Sequence, residues 1–148
     1  MRSPLDRRSF LAGAALVTVL PLAPARATPE AMAAAIKEVV GGAVIREGRV
    51  KLDLPPLVEN GNVVALTVSV ESPMSEQSYV SDVLIVADGN PNGGMVTFHF
   101  SPASGVAEAN TRVRLAATQN ITAVAKMNDG SFFTTSRQVK VTIGGCGG

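Results

Sequence analysis

The chain has 148 residues, only 4% of them aromatic and none Trp, and a formal net charge of +1. That length favours one domain, and that composition requires a core of Val, Ile, Leu and Ala with a few Phe. Residues 1–27 hold four of the 13 basic residues and one of the 12 acidic ones, so the remainder carries −2. A weakly acidic domain without a basic cluster is a poor nucleic-acid binder, and a single cysteine excludes an intramolecular disulfide.

Residues 1–27 carry the three parts of an export signal. Arg7-Arg8-Ser9-Phe10-Leu11 opens an apolar run to Leu22, and Ala25-Arg26-Ala27 offers small residues at the two positions a signal peptidase reads. The run is too short to cross roughly 30 Å of hydrocarbon as a helix, so no membrane span is expected. Paired arginines before Ser-Phe-Leu predict the twin-arginine route, with Asp6 a small departure. That route exports folded proteins, and in a chain without a cofactor motif a folded partner is the expected reason for using it. The mature chain is then expected to start at Thr28 and to be periplasmic.

Residues 28–42 predict a helix. Thr28 is the N-cap, Pro29 suits the first helical position, Glu30 complements the positive helix end, and Gly41-Gly42 stops it. From 43 to 143 the period is two. Val44 to Leu54 reads as a strand or hairpin broken at Glu47-Gly48. Pro55-Pro56 ends it, and Glu59-Asn60-Gly61-Asn62 reads as a turn. Val63–Val70 and Tyr79–Ala87 are strands, followed by a turn through Asp88-Gly89-Asn90-Pro91. Met95–Ser101 alternates, Pro102–Asn110 reads as a loop, and Arg112–Thr118 as a strand with Val113, Leu115 and Ala117 inside. Ile121–Met127 and Phe132–Ile143 complete the set, the last with Val139, Val141 and Ile143 inside. About seven strands predict an all-β, immunoglobulin-like antiparallel sandwich with a short N-terminal helix. Val83, Leu84, Ile85 and Val86 are apolar on both faces, which requires cover on both faces. The second cover is either the helix or a partner, and these four residues are the candidate partner interface.

Residues 144–148 read Gly144-Gly145-Cys146-Gly147-Gly148. Glycine samples backbone conformations freely, so this stretch predicts a flexible arm carrying the one thiol. A thiolate is the reactive form of cysteine, and its usual activators are neighbouring cations. The sequence places none beside Cys146, the nearest along the chain being Lys140. The thiol therefore reads as a handle for cargo rather than as a catalytic nucleophile. His99 is the only histidine, which gives neither a triad nor a metal set. The Asp88-Gly89-Asn90-Pro91-Asn92 stretch lacks the distal glutamate of a calcium loop and reads as turn chemistry. No catalytic residue, metal or cofactor is expected. Two other readings stand beside the carrier. One is a terminal Gly-Gly carboxylate carrier, which a compartment without ATP disfavours. The other is a structural module whose cysteine only forms intermolecular disulfides; such dimers are also expected of an exposed carrier thiol.

The export signal, the helix, the sandwich, Asp88-Gly89-Asn90-Pro91 with Val96-Thr97-Phe98-His99-Phe100, and the Gly-Gly-Cys-Gly-Gly stretch together resemble the SoxY family of sulfur carriers. The resemblance implies a periplasmic carrier that works as a heterodimer with SoxZ and holds sulfur intermediates on Cys146. It implies that the haem enzyme SoxAX couples thiosulfate to that thiol, that the manganese hydrolase SoxB releases sulfate, and that SoxCD, where present, oxidises the sulfur left behind. The chain itself catalyses none of these steps on this reading.

Overall fold

A computed structural model describes residues 28–145. The expected export segment, residues 1–27, lies outside the described residues, as do Cys146, Gly147 and Gly148. The helix α1 spans Pro29–Val40. The Thr28 hydroxyl accepts from the Ala31 amide at 3.4 Å, and Gly41 closes the helix in the left-handed region at φ 64°. Both ends therefore follow from capping residues visible in the sequence.

Nine strands follow: β1 Ile45–Glu47, β2 Val50–Asp53, β3 Leu57–Asn60, β4 Val64–Val70, β5 Val80–Ala87, β6 Gly94–His99, β7 Ala107–Val113, β8 Gln119–Met127 and β9 Phe132–Ile143. They form a sandwich of two sheets. The larger runs β1-β9-β8-β5-β6, with β3 also paired to β9; the smaller runs β2-β4-β7. Between β1 and β2, Gly48 and Arg49 both take positive φ, 108° and 58°, and the chain passes from one sheet to the other there. The core lies between the sheets. Leu66, Val68, Ile85, Ile121 and Val139 are inaccessible or nearly so, as alternating inward residues of a sandwich should be.

Five expectations are corrected. There are nine strands rather than about seven. The sheet is not wholly antiparallel, because β1 and β3 run parallel to the two ends of β9. The expected loop over Pro102–Asn110 holds a short 3-10 turn, Pro102–Ser104, and then most of β7. The strand expected over Arg112–Thr118 ends at Val113; Leu115 is fully buried but Ala117 is exposed. The strand over Phe132–Ile143 is found with those bounds, yet Ile143, expected inside, is 65% exposed.

Strand β5 settles how its two apolar faces are covered. Val83 and Ile85 belong to the main core, whereas Leu84 and Val86 lie buried on the other face, where α1 packs against β5. The turn before β6 touches the helix closely, since a Cβ on Gly93 would stand 2.9 Å from the Ala31 carbonyl. All four residues are buried within the single chain, so they are not an exposed partner surface: the helix supplies the second cover.

Candidate functional site

The last described residues sit where β9 leaves the sandwich. Asn60 of β3 is in register with Ile143 of β9. Past that pair the backbone continues in a three-step ladder. The Gly145 amide donates to the Leu115 carbonyl at 2.9 Å, the Leu115 amide to the Gly61 carbonyl at 2.8 Å, and the Gly61 amide to the Ile143 carbonyl at 2.8 Å. Gly145 is buried. A Cβ on Gly144 would stand 2.0 Å from the Ala116 carbonyl oxygen, one on Gly145 2.7 Å from that of Gly61, and one on Gly61 2.1 Å from that of Leu115. These glycines are present because the backbones approach too closely for any side chain. Gly144 and Gly145 therefore belong to the scaffold, contrary to the expectation that the arm begins at Gly144.

The segment that receives Gly145 has no strand partner on its other side, where side-chain amides replace one. Asn90 Nδ2 donates to the Arg114 carbonyl at 2.8 Å, and Asn90 Oδ1 accepts from the Ala116 amide at 3.0 Å and from Gln119 Nε2 at 2.9 Å. Gln119 Nε2 also donates to the Ala117 carbonyl at 3.1 Å, and its Oε1 accepts from the Gly89 amide at 3.0 Å. Asp88 accepts from the Asn120 amide and side chain at 2.8 and 2.7 Å. Asn90 and Gln119 are 5% and 3% exposed, and among the described residues no buried polar side-chain atom lacks a partner. A fully satisfied buried network of this kind holds one arrangement, because any displacement strands a donor or acceptor. From the sequence, Asp88–Asn90 and Gly61 read as turn residues and Leu115 as a core residue of a strand, and Gln119 was not singled out. Only the Asn60-Gly61 dipeptide gave a local signal.

The remaining candidates lie elsewhere. His99 Nδ1 and Asp82 Oδ1 are 2.5 Å apart, and the Ser81 hydroxyl donates to Asp82 Oδ2 at 2.7 Å. Burial works to raise the Asp82 carboxyl; the hydrogen bonds from Ser81 and His99 and the charges of His99 and Lys126 outweigh it and hold the group below its usual value. The His99 side chain is 77% exposed, as expected of an outward strand residue. Among the described residues no group of three or more His, Cys, Asp or Glu is placed to hold a metal ion, and no helix is long and apolar enough to cross a membrane.

Residues 36–146 match the protein family described as sulfur oxidation protein SoxY. The sulfur carrier protein SoxY of Chlorobium limicola f thiosulfatophilum superposes with a TM-score of 0.65 at 27% identity, over 77% of this chain and 98% of that one. A superoxide reductase (neelaredoxin) of Ignicoccus hospitalis superposes at 0.57 with 16% identity, over 64% of this chain and 80% of that one. The superoxide reductase of Nanoarchaeum equitans does so at 0.55 with 10% identity, over 65% of this chain and 100% of that one. These two share the fold alone. No curated protein matches in sequence.

Proposed function

The chain belongs to the SoxY family of sulfur oxidation proteins, and from that premise we propose that Cys146 is the residue on which this sulfur carrier holds its cargo. The observation that carries the reading is the ladder at Gly145. It fixes the scaffold up to the residue before the only cysteine, and the family match itself runs to residue 146. Cys146 Cα stands about 3.8 Å from that of Gly145 by covalent geometry alone. On this reading the thiol follows directly on a fixed residue, and Gly147 and Gly148 beyond it add no side-chain bulk.

On this proposal the chain is exported by the twin-arginine route, is periplasmic, and pairs with SoxZ. SoxAX joins thiosulfate to the thiol in a two-electron oxidation that forms a sulfur–sulfur bond; the thiol proton goes to solvent and the electrons to the haem enzyme. SoxB then adds water to the terminal sulfonate, releasing sulfate and two protons and leaving a persulfide on Cys146, which SoxCD oxidises further where present. The protein contributes tethering: a covalent link keeps a labile intermediate from diffusing between enzymes. The chain acts as a carrier and not as the catalyst.

Intact-mass measurement after incubation with thiosulfate and the partner enzymes tests this. An adduct on the wild-type chain that is missing from Cys146→Ser is expected. A disulfide dimer as the sole product would instead favour the structural reading.

A further inference from the structure

The side of the sandwich between β6 and β7 is open. β6 ends the larger sheet and β7 the smaller one, and among the described residues each has a partner strand on one side only. The Phe100 amide donates to the Ser81 carbonyl at 2.8 Å, and Phe98 and Val96 continue that register against Val83 and Ile85. In an antiparallel ladder such pairs alternate with pairs that do not bond each other, so Thr97 and His99 direct their backbone N–H and C=O groups away from β5. An uncovered edge invites another strand, and folded proteins usually blunt it with charge or proline. The other edge strands do carry charge: Arg46 and Glu47 on β1, Lys51 and Asp53 on β2, Glu59 on β3, Glu108 and Arg112 on β7. β6 reads Gly94-Met95-Val96-Thr97-Phe98-His99, without proline, acid, lysine or arginine, and its His99 side chain is taken up by Asp82 of β5. The one irregularity in its pairing, at Ile85/Val86, leaves Val96 to His99 in regular register.

A groove of about 390 Å³ runs beside this edge, lined by Met95 and Val96 on one side and by Thr111, Arg112 and Arg114 on the other. No acidic residue lines it, and neither arginine makes an ion pair with a described residue. We propose that β6 is a docking edge for an extended, acidic segment of another protein, which adds a strand to the larger sheet and sets its carboxylates against Arg112 and Arg114. Backbone hydrogen bonds to Thr97 and His99 supply the attachment, and side chains at alternate positions supply the choice of partner. Successive side chains on one face of a strand stand about 7 Å apart. The two arginines are themselves alternate residues, so acids two positions apart match them. A carboxylate meets the planar guanidinium fork with both oxygens, a geometry that arginine serves better than lysine. A second copy of this chain is a poor occupant, since its own β6 brings no acid to the groove. The inference concerns a different part of the molecule from Cys146 and does not depend on which residue holds cargo.

Two blocked synthetic peptides serve as probes: acetyl-Thr-Val-Glu-Val-Glu-Val-Thr-amide, and the same peptide with lysine in place of each glutamate. The full chain, kept reduced, is titrated with each and followed by nitrogen–proton NMR. The glutamate peptide is expected to shift the Thr97 and His99 amide resonances and to slow their exchange with solvent. The lysine peptide should bind about two- to thirty-fold more weakly, the range of two exposed ion pairs. Replacing both arginines, Arg112→Gln with Arg114→Gln, should remove that difference. Methylating alternate peptide nitrogens separates strand addition from simple charge attraction without touching the protein. Neighbouring N–H groups along a strand point to opposite sides, so of the two alternating sets only one should abolish binding when methylated. Equal binding by the two methylated peptides, equal binding by the glutamate and lysine peptides, or no shift at Thr97 and His99 with any peptide would overturn the proposal. So would protection of those two amides that rises with protein concentration in the absence of peptide, which would assign the edge to a second copy.

Discussion

The two ends of β9 are held by different chemistry. At its start, Phe132 pairs with Ile45 of β1 and packs in a small apolar cluster with Val40 of α1 and Val124 of β8. At its end, about 36 Å along an extended strand, the last residues lie beyond the apolar contacts of Val58 and Val141. Ile143 is exposed, and the chain is held by backbone hydrogen bonds to Gly61 and Leu115, backed by the buried amides of Asn90 and Gln119. Apolar packing fixes a helix by burying side chains. Backbone hydrogen bonding at glycines fixes a chain where the backbones leave no room for a side chain.

If the ends are independent, they should break independently. Phe132→Ala removes a ring that is 4% exposed and should cost the most, about 3–5 kcal/mol by denaturant unfolding. It should loosen α1 while leaving the Gly145 amide as well protected from local exchange as before. Gly144→Ala should cost about 1–3 kcal/mol, since its methyl meets a backbone carbonyl that cannot rotate away. Here the Gly145 amide should exchange faster while the helix is unmoved. Asn90→Ala leaves the Arg114 carbonyl and the Ala116 amide without partners and should cost on the order of 1–2 kcal/mol. Its effect should add to that of Phe132→Ala within about 0.5 kcal/mol. A larger coupling would show that the two ends of β9 act as one unit.

The same contrast explains what could be read from the sequence. Apolar packing leaves a periodic trace: the helix caps, β4, β5, β8 and the bounds of β9 were all legible. The four residues of β3 after Pro55-Pro56 are too few to leave one, so its second half, Glu59-Asn60, read as part of a turn. Ala107-Glu108-Ala109-Asn110 forms strand through its partner β4 despite weak strand formers, a case of context overriding propensity. The cover over Leu84 and Val86 was correctly required, but only the placement of α1 showed that the chain provides it itself. Gly144 and Gly145 mark the sharpest limit, because one letter serves both for a freely moving backbone and for one with no room for a side chain. Their hydrogen bonds to distant residues decide between these, and no local pattern records such contacts.

The Asp82–His99 pair lies across the sheet from the start of β9, in register with Phe132 through Lys126, and gives the smallest expected effect. It bridges β5 and the edge strand β6 at residues that face each other in register. The Asp82 carboxyl is held low because its partners Ser81, His99 and Lys126 outweigh the opposing influence of burial. A carboxyl lowered by folding adds stability above its unfolded value, about 3.9, and that stability is lost as pH falls through the lower folded value. Asp82→Asn should therefore flatten the acid limb of the stability profile below about pH 4. Because the His99 side chain is 77% exposed, solvent screens the pair and the loss at neutral pH should be only about 0.5 kcal/mol. Urea unfolding across the acid range, with Gly145 amide exchange alongside, checks both parts. A change at Gly145 in this variant would mean that the edge strand communicates with the root of the thiol, and that the root is less self-contained than its hydrogen bonds imply.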